Sequence, residues 1–116
     1  MKKTAADHRD LTVDRDLYSG MMRLHILHHA TKRPIFGLGM VEELARYGYR
    51  ISPGTLYPLL HGLEKKGYIS SMQKRNGKSL RTIYRATPLG RKALAAATAK
   101  VRELIGELME GHPRAC

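Results

Sequence analysis

The sequence predicts a small, mainly helical domain that carries one β-hairpin and ends in a long helix. Three observations predict it. Apolar residues recur every three or four positions in four separate stretches. Two runs rich in Tyr, Ile, Met and Thr flank Asn76-Gly77, and Asn-Gly between such runs signals a hairpin. After Thr87-Pro88 the apolar residues settle into a heptad rhythm from Leu94 to Leu108.

Residues 1–13 are mostly polar and charged and read as a flexible N-terminal tail. Asp7, Asp10 and Asp14 argue against a basic arm laid in a minor groove. Asp14 or Asp16 can cap a first helix running to about Ala30, with Leu17, Met21, Leu24, Leu27 and Ala30 at 3–4 spacing. Pro34 forbids its continuation, because the residue before a proline is pushed out of the helical region. A short second helix starts near Gly37, turns Met40, Val41, Leu44 and Ala45 inward and stops at Gly48.

The third helix opens at Ser52-Pro53-Gly54-Thr55, where Ser52 supplies a cap oxygen and Pro53 suits the first helical position. Leu56, Leu59, Leu60 and Leu63 form its inner stripe, and Gly67 ends it. Pro58 deletes a donor in the second turn, so a local bend with a free Gly54 carbonyl is expected. The hairpin strands are Tyr68–Lys74 and Leu80–Ala86, decorated by Lys74, Arg75, Lys78, Arg81 and Arg85. Their apolar alternation is too imperfect to set the register. A final helix of roughly 24 residues, ~36 Å long, follows Pro88. Leu94, Ala97, Val101, Leu104 and Leu108 step by 3, 4, 3 and 4, and Ile105 and Met109 widen the stripe. That is more apolar surface than one short chain covers, so the helix is expected to pair with a second copy. Leu17, Met21 and Leu24 of the first helix would join Leu94, Ala97, Val101, Leu104, Ile105 and Leu108 in that contact.

Helix, helix, helix, basic hairpin and long helix is the order of a winged helix-turn-helix with an appended dimerisation helix. On this reading residues 14–87 form the DNA-binding domain and 88–112 the dimerisation helix. The charge agrees. The chain of 116 residues holds 21 Lys+Arg against 10 Asp+Glu, a formal net charge of +11. Residues 51–87 hold seven basic side chains and only Glu64 against them. The middle third therefore faces a polyanion. The third helix would lie in the major groove with its N-terminal residues toward the bases, and the hairpin would reach phosphate. Ser52, Pro53, Gly54 and Thr55 are small enough for close approach, Tyr57 adds a hydroxyl, and the hairpin cations neutralise phosphates without one fixed geometry.

Other classes find little support. No phosphate-binding Gly-rich Lys motif and no Ser/His/Asp arrangement with context is present, so no enzyme and no cofactor are expected. No apolar run reaches the ~18 residues a membrane span needs, and no secretory pattern follows Met1, which points to the cytoplasm. The one Cys, Cys116, allows no internal disulfide and has nothing beside it to lower its pKa. His25, His28 and His29 share a helix, with His25 and His29 one turn apart, but no Cys and no nearby carboxylate on that helix completes a ligand set, so no metal is expected. The rival reading is a non-specific nucleic-acid-binding or ribosome-associated basic protein. It needs the charge but neither the seam nor the small-residue helix start.

Ile51-Ser52-Pro53-Gly54-Thr55-Leu56-Tyr57-Pro58-Leu59-Leu60, then Gly62-Leu63-Glu64-Lys65-Lys66-Gly67-Tyr68-Ile69, resembles the recognition helix of PadR-type transcriptional regulators. Arg81-Thr82-Ile83-Tyr84-Arg85-Ala86-Thr87-Pro88-Leu89-Gly90-Arg91 resembles that family's wing strand and its entry into the C-terminal helix. The resemblance spans about residues 17–109 and, from the length, points to the short branch with one C-terminal helix. It implies a dimeric repressor on a palindromic operator of double-stranded DNA, released by a small-molecule inducer of unknown identity. It also implies DNA contacts from Ser52, Gly54, Thr55, Tyr57, Lys78 and Arg81, to which the charge reading adds Arg75. Two departures stand out. Gly37-Leu38 replaces the usual Gly-Tyr, and His61 stands where an Arg commonly follows the Leu-Leu pair, so a fixed positive charge does not carry over to this position. The chain has no Trp, so drug stacking between tryptophans at a dimer centre does not carry over.

Overall fold

The structure is a computed structural model that describes residues 14–111. The readings of the 1–13 tail and of Cys116 lie outside the described residues. The elements are α1 (Arg15–Lys32), α2 (Gly37–Arg46), α3 (Pro53–Lys65), β1 (Ile69–Asn76), β2 (Ser79–Ala86) and α4 (Pro88–Glu110). All belong to a mainly helical fold with one antiparallel hairpin.

Asp14 starts α1, its carboxylate accepting from the Leu17 N–H at 3.1 Å. The helix runs two residues past Ala30 and stops short of Pro34. Its buried face is Met22, Ile26, Leu27 and Ala30. Leu17 and Met21, which share the 3–4 spacing with Leu27, instead stay 67% and 51% exposed. The helix has two apolar stripes, and spacing alone does not say which one the core takes. Met40 and Leu44 of α2 and Leu56, Leu59, Leu60 and Leu63 of α3 meet the α1 face, and Ile69 and Tyr84 of the hairpin close the core. Val41 packs at its edge, whereas Ala45 is exposed rather than inward.

Pro58 does not interrupt α3. The carbonyl it leaves without a helical donor belongs to Gly54 in the exposed first turn, open to solvent. The helix ends with Gly67 N–H on the Glu64 carbonyl at 2.9 Å and Tyr68 N–H on the Leu63 carbonyl at 3.0 Å. That paired closure requires a left-handed residue, and Gly67 supplies it at φ +83°.

The hairpin is longer than the alternation indicates. Its register runs from Ile69 opposite Ala86 to Asn76 opposite Ser79, leaving Gly77-Lys78 as a two-residue turn. Gly77 has φ +68° and Lys78 has no positive φ, the pattern of a turn with glycine at its first central position. Asn76 therefore ends a strand rather than sitting inside the turn. Ile35, between α1 and α2, adds a single bridge to β2, exchanging both backbone bonds with Tyr84 at 2.9 and 2.8 Å.

Thr87 joins the hairpin to α4. Its hydroxyl accepts from the Gly90 N–H at 2.9 Å and donates to the Gly67 carbonyl. Gly90 packs against the Tyr68 carbonyl so tightly that a Cβ would overlap it. Leu94 still touches the core, but from Val101 onward the apolar side chains are uncovered: Leu104 is 53% exposed and Leu108 72%. Among the described residues no helix is long and apolar enough to cross a membrane.

Candidate nucleic-acid interface

The start of α3 is built from short side chains on an exposed turn. Ser52 caps it, its hydroxyl accepting from the Thr55 N–H at 3.3 Å. Pro53 and Gly54 are exposed, so the helix end presents backbone rather than bulk. Tyr57 and His61, one turn apart, share an exposed face with ring centroids 6.2 Å apart. Tyr57 is held against α2, where its hydroxyl lies on Gly37 so closely that any side chain there would displace it. The five residues singled out between Ser52 and Tyr57 are thus together, and His61 continues their face.

One residue was missed by sequence reasoning. Arg15, in the first turn of α1, donates from Nη1 to the Thr55 hydroxyl at 2.7 Å. It places a guanidinium beside the helix start that pattern reading leaves uncharged. No local signal announces it, because the contact exists only through the packing of α1 on α3.

The wing carries the cations in a defined arrangement. Lys74 stands directly opposite Arg81, and residues 69–86 contain no acid. Like charges facing across a strand pair are destabilising, so this pair weakens the hairpin in the absence of an anion. Arg75 lies on the opposite face, across from Leu80, and Lys78 sits in the turn. Near its base the Arg81 face is covered by the α1–α2 connection: Ile83 is buried, and Arg81 lies over the Phe36 ring with Cζ 4.7 Å from the centroid. Arg75, Lys78 and Arg81 therefore share the wing but not one direction.

The apolar residues expected to pair chains also converge. Met21 and Leu24 face Leu94 and Val101 across a cleft of about 310 Å³, and Leu17, Met21 and Leu24 face Ala97 across another of about 520 Å³. Leu104, Ile105 and Leu108 extend the same helix beyond the core, all more than half exposed.

His25 and His29 stack with centroids 6.3 Å apart, and His25 packs on Tyr47 at 4.7 Å and on Tyr49 at 5.3 Å. Burial holds both imidazoles below the usual histidine range, more strongly than Glu43 (3.8 Å from His29) draws them up. His28 adds a like charge to each when protonated, and Arg33 adds one to His29. Among the described residues, no three His, Cys, Asp or Glu side chains gather as a metal-binding group. The lowered values have a sign. The unfolded chain binds more protons than the folded one below about pH 6.5, so stability falls as pH drops through and below that value. Melting temperatures at fixed protein concentration are expected to fall as pH is lowered from 7.5 to 5.5, and His25→Gln is expected to flatten that dependence.

Comparison with known proteins agrees with this geometry. Residues 26–96 match the Transcriptional regulator PadR-like family. The transcriptional regulator Rv3488 of Mycobacterium tuberculosis is 45% identical over 98 residues, 84% of this chain and 92% of that protein. A PadR family transcriptional regulator from Eggerthella lenta has a similar crystal structure, with TM-score 0.72 and 31% identity over 84% of this chain and 88% of that one. A transcriptional regulator from Thermoplasma acidophilum superposes with TM-score 0.67 and 29% identity over 84% of this chain and 97% of the other. With the winged-helix architecture, the small-residue start of α3 and the acid-free basic wing in place, the chain belongs to the PadR-like family of transcriptional regulators.

Proposed function

We propose that the protein acts in the cytoplasm as a homodimeric repressor that binds a palindromic operator in double-stranded DNA and responds to a small molecule. Two observations carry the DNA reading: the Lys74–Arg81 pair in an acid-free wing, and an exposed, capped start of α3. The wing arrangement costs hairpin stability by itself, and phosphate removes the cost. The Ser52–Thr55 turn, with Tyr57 and His61, reads bases in the major groove, while Arg75, Lys78 and Arg81 bind the backbone. The dimer forms through α1 and α4, whose facing apolar side chains lack cover in one chain. It sets two recognition helices about one DNA turn, ~34 Å, apart. A ligand would lodge in the clefts between α1 and α4 and alter that spacing.

Footprinting on fragments recovered from the genome with the bound protein tests this reading, a protected inverted repeat being the expected result. Lys78→Ala or Arg75→Ala is expected to weaken binding to all duplexes alike and lower the salt slope by about one. Ser52→Ala with Thr55→Val is expected to weaken the protected site by ~10-fold or more and barely change random DNA. Equal losses on both duplexes would remove the base-reading role and favour non-specific binding.

A further inference from the structure

Phe36 occupies the residue just before α2, where a short polar side chain ordinarily caps a helix, and it makes no cap hydrogen bond. The residue is 39% exposed. The position thus gives up a cap and buries only part of a large side chain, which folding alone does not explain. What the ring touches does. The Arg81 guanidinium lies 4.7 Å over its centroid, inside the ~6 Å reach of a cation–π contact. Asn76, diagonal to Arg81 on the same hairpin face, closes the other side. With its amide oxygen turned toward Arg81, it accepts from Nε at 3.2 Å and from Nη2 at 3.3 Å. The loop holding Phe36 cannot drift, since Ile35 is bonded twice to Tyr84 of the strand that carries Arg81.

We infer that Phe36 is a positioning residue for the wing: with Asn76 it holds Arg81 in one orientation against the repulsion of Lys74, so that the guanidinium meets DNA already ordered. The inference rests on the reading of Arg81 as a DNA-contacting side chain. A free arginine on a strand samples many rotamers and loses that freedom on binding, and a stacked one has lost most of it beforehand. Phe36 acts through Arg81 and adds no charge of its own. Its removal should therefore weaken binding without changing the number of phosphates neutralised.

The test is a double-mutant cycle on the full chain. Fluorescence anisotropy is read against salt, with a random-sequence 30-base-pair duplex and with a duplex the wild type selects from a random pool. Phe36→Leu is expected to weaken both by roughly 3- to 5-fold at an unchanged salt slope, and Phe36→Tyr to keep wild-type affinity. Arg81→Ala is expected to weaken binding further and to lower the slope by about one. In the Arg81→Ala background, Phe36→Leu should cost nothing more. In the free protein, the Arg81 Nε–H resonance should lie upfield of the other arginines under the ring current and return in Phe36→Leu. An undiminished cost of Phe36→Leu without Arg81, or none with Arg81 present, overturns the inference alone. An Arg81→Ala variant that binds like the wild type overturns the DNA reading of Arg81 as well.

Discussion

Gly90→Ala is expected to destabilise the protein by about 3 kcal/mol, at the upper end for forcing one methyl into a packed site. The added Cβ would overlap the Tyr68 carbonyl, which is backbone and has no rotamer to yield. Relief requires moving α4 away from the α3–β1 turn, and that in turn stretches the Thr87 bonds to Gly67 and Tyr68. At roughly 4 °C per kcal/mol for a domain of this size, the melting temperature should fall by about 12 °C. The comparison is Gly106→Ala on the same helix, where a Cβ meets nothing within 4 Å. That change should raise stability by up to ~1 kcal/mol through helix propensity. Circular-dichroism melts of the two variants at one protein concentration check both signs. Equal shifts would mean that the Gly90 packing is not as tight as described.

Val101→Asp combined with Leu104→Asp is expected to abolish the proposed dimer while leaving each chain folded. Both side chains are already partly in water, at 36% and 53% exposure, so charging them disturbs no core contact within the chain. Across a paired seam the same carboxylates would face apolar surface and each other, which a helix contact does not tolerate. Sedimentation should show the wild type at twice the mass of one chain and the variant at that mass. Affinity for a two-half-site operator should fall by ~100-fold or more, because the second half-site is then bound without tethering. Affinity for a single half-site should change little. A variant that stays dimeric would place the contact elsewhere than on α4.

What the sequence made legible was the part written in local chemistry. Ser52-Pro53, the leucines of α3 and the Asn76-Gly77 signal each act within a few residues, and the first two stand where they were read while the third marks a hairpin with its tip displaced. The hairpin tip lies one residue further on because glycine suits two kinds of tight turn, and the strand ends carry cations that pattern reading assigns to loops. The inward face of α1 was harder. Met22 and Ile26 enter the core while Leu17 and Met21 do not, and only the placement of α2 and α3 decides between two apolar stripes on one helix. Arg15 on Thr55 and Arg81 on Phe36 were not legible at all, since each links residues 40 or more positions apart by packing that no local spacing encodes.

The joint at Gly67, Thr87 and Gly90 has a mechanical consequence. One hydroxyl bonds Gly67, which closes α3, and the start of α4, and a glycine with no spare room packs the two together. Through this joint a twist of α4 is expected to be passed to the end of α3. In the proposed dimer, a change in how two α4 shafts cross is delivered to the reading heads. With heads ~34 Å apart, each on a lever of ~17 Å, a rotation of about 5° displaces them by ~1.5 Å. That is enough to break hydrogen bonds to bases, which lose their strength over a few tenths of an ångström. A small ligand wedged between the shafts would thus need no large domain motion to release the operator.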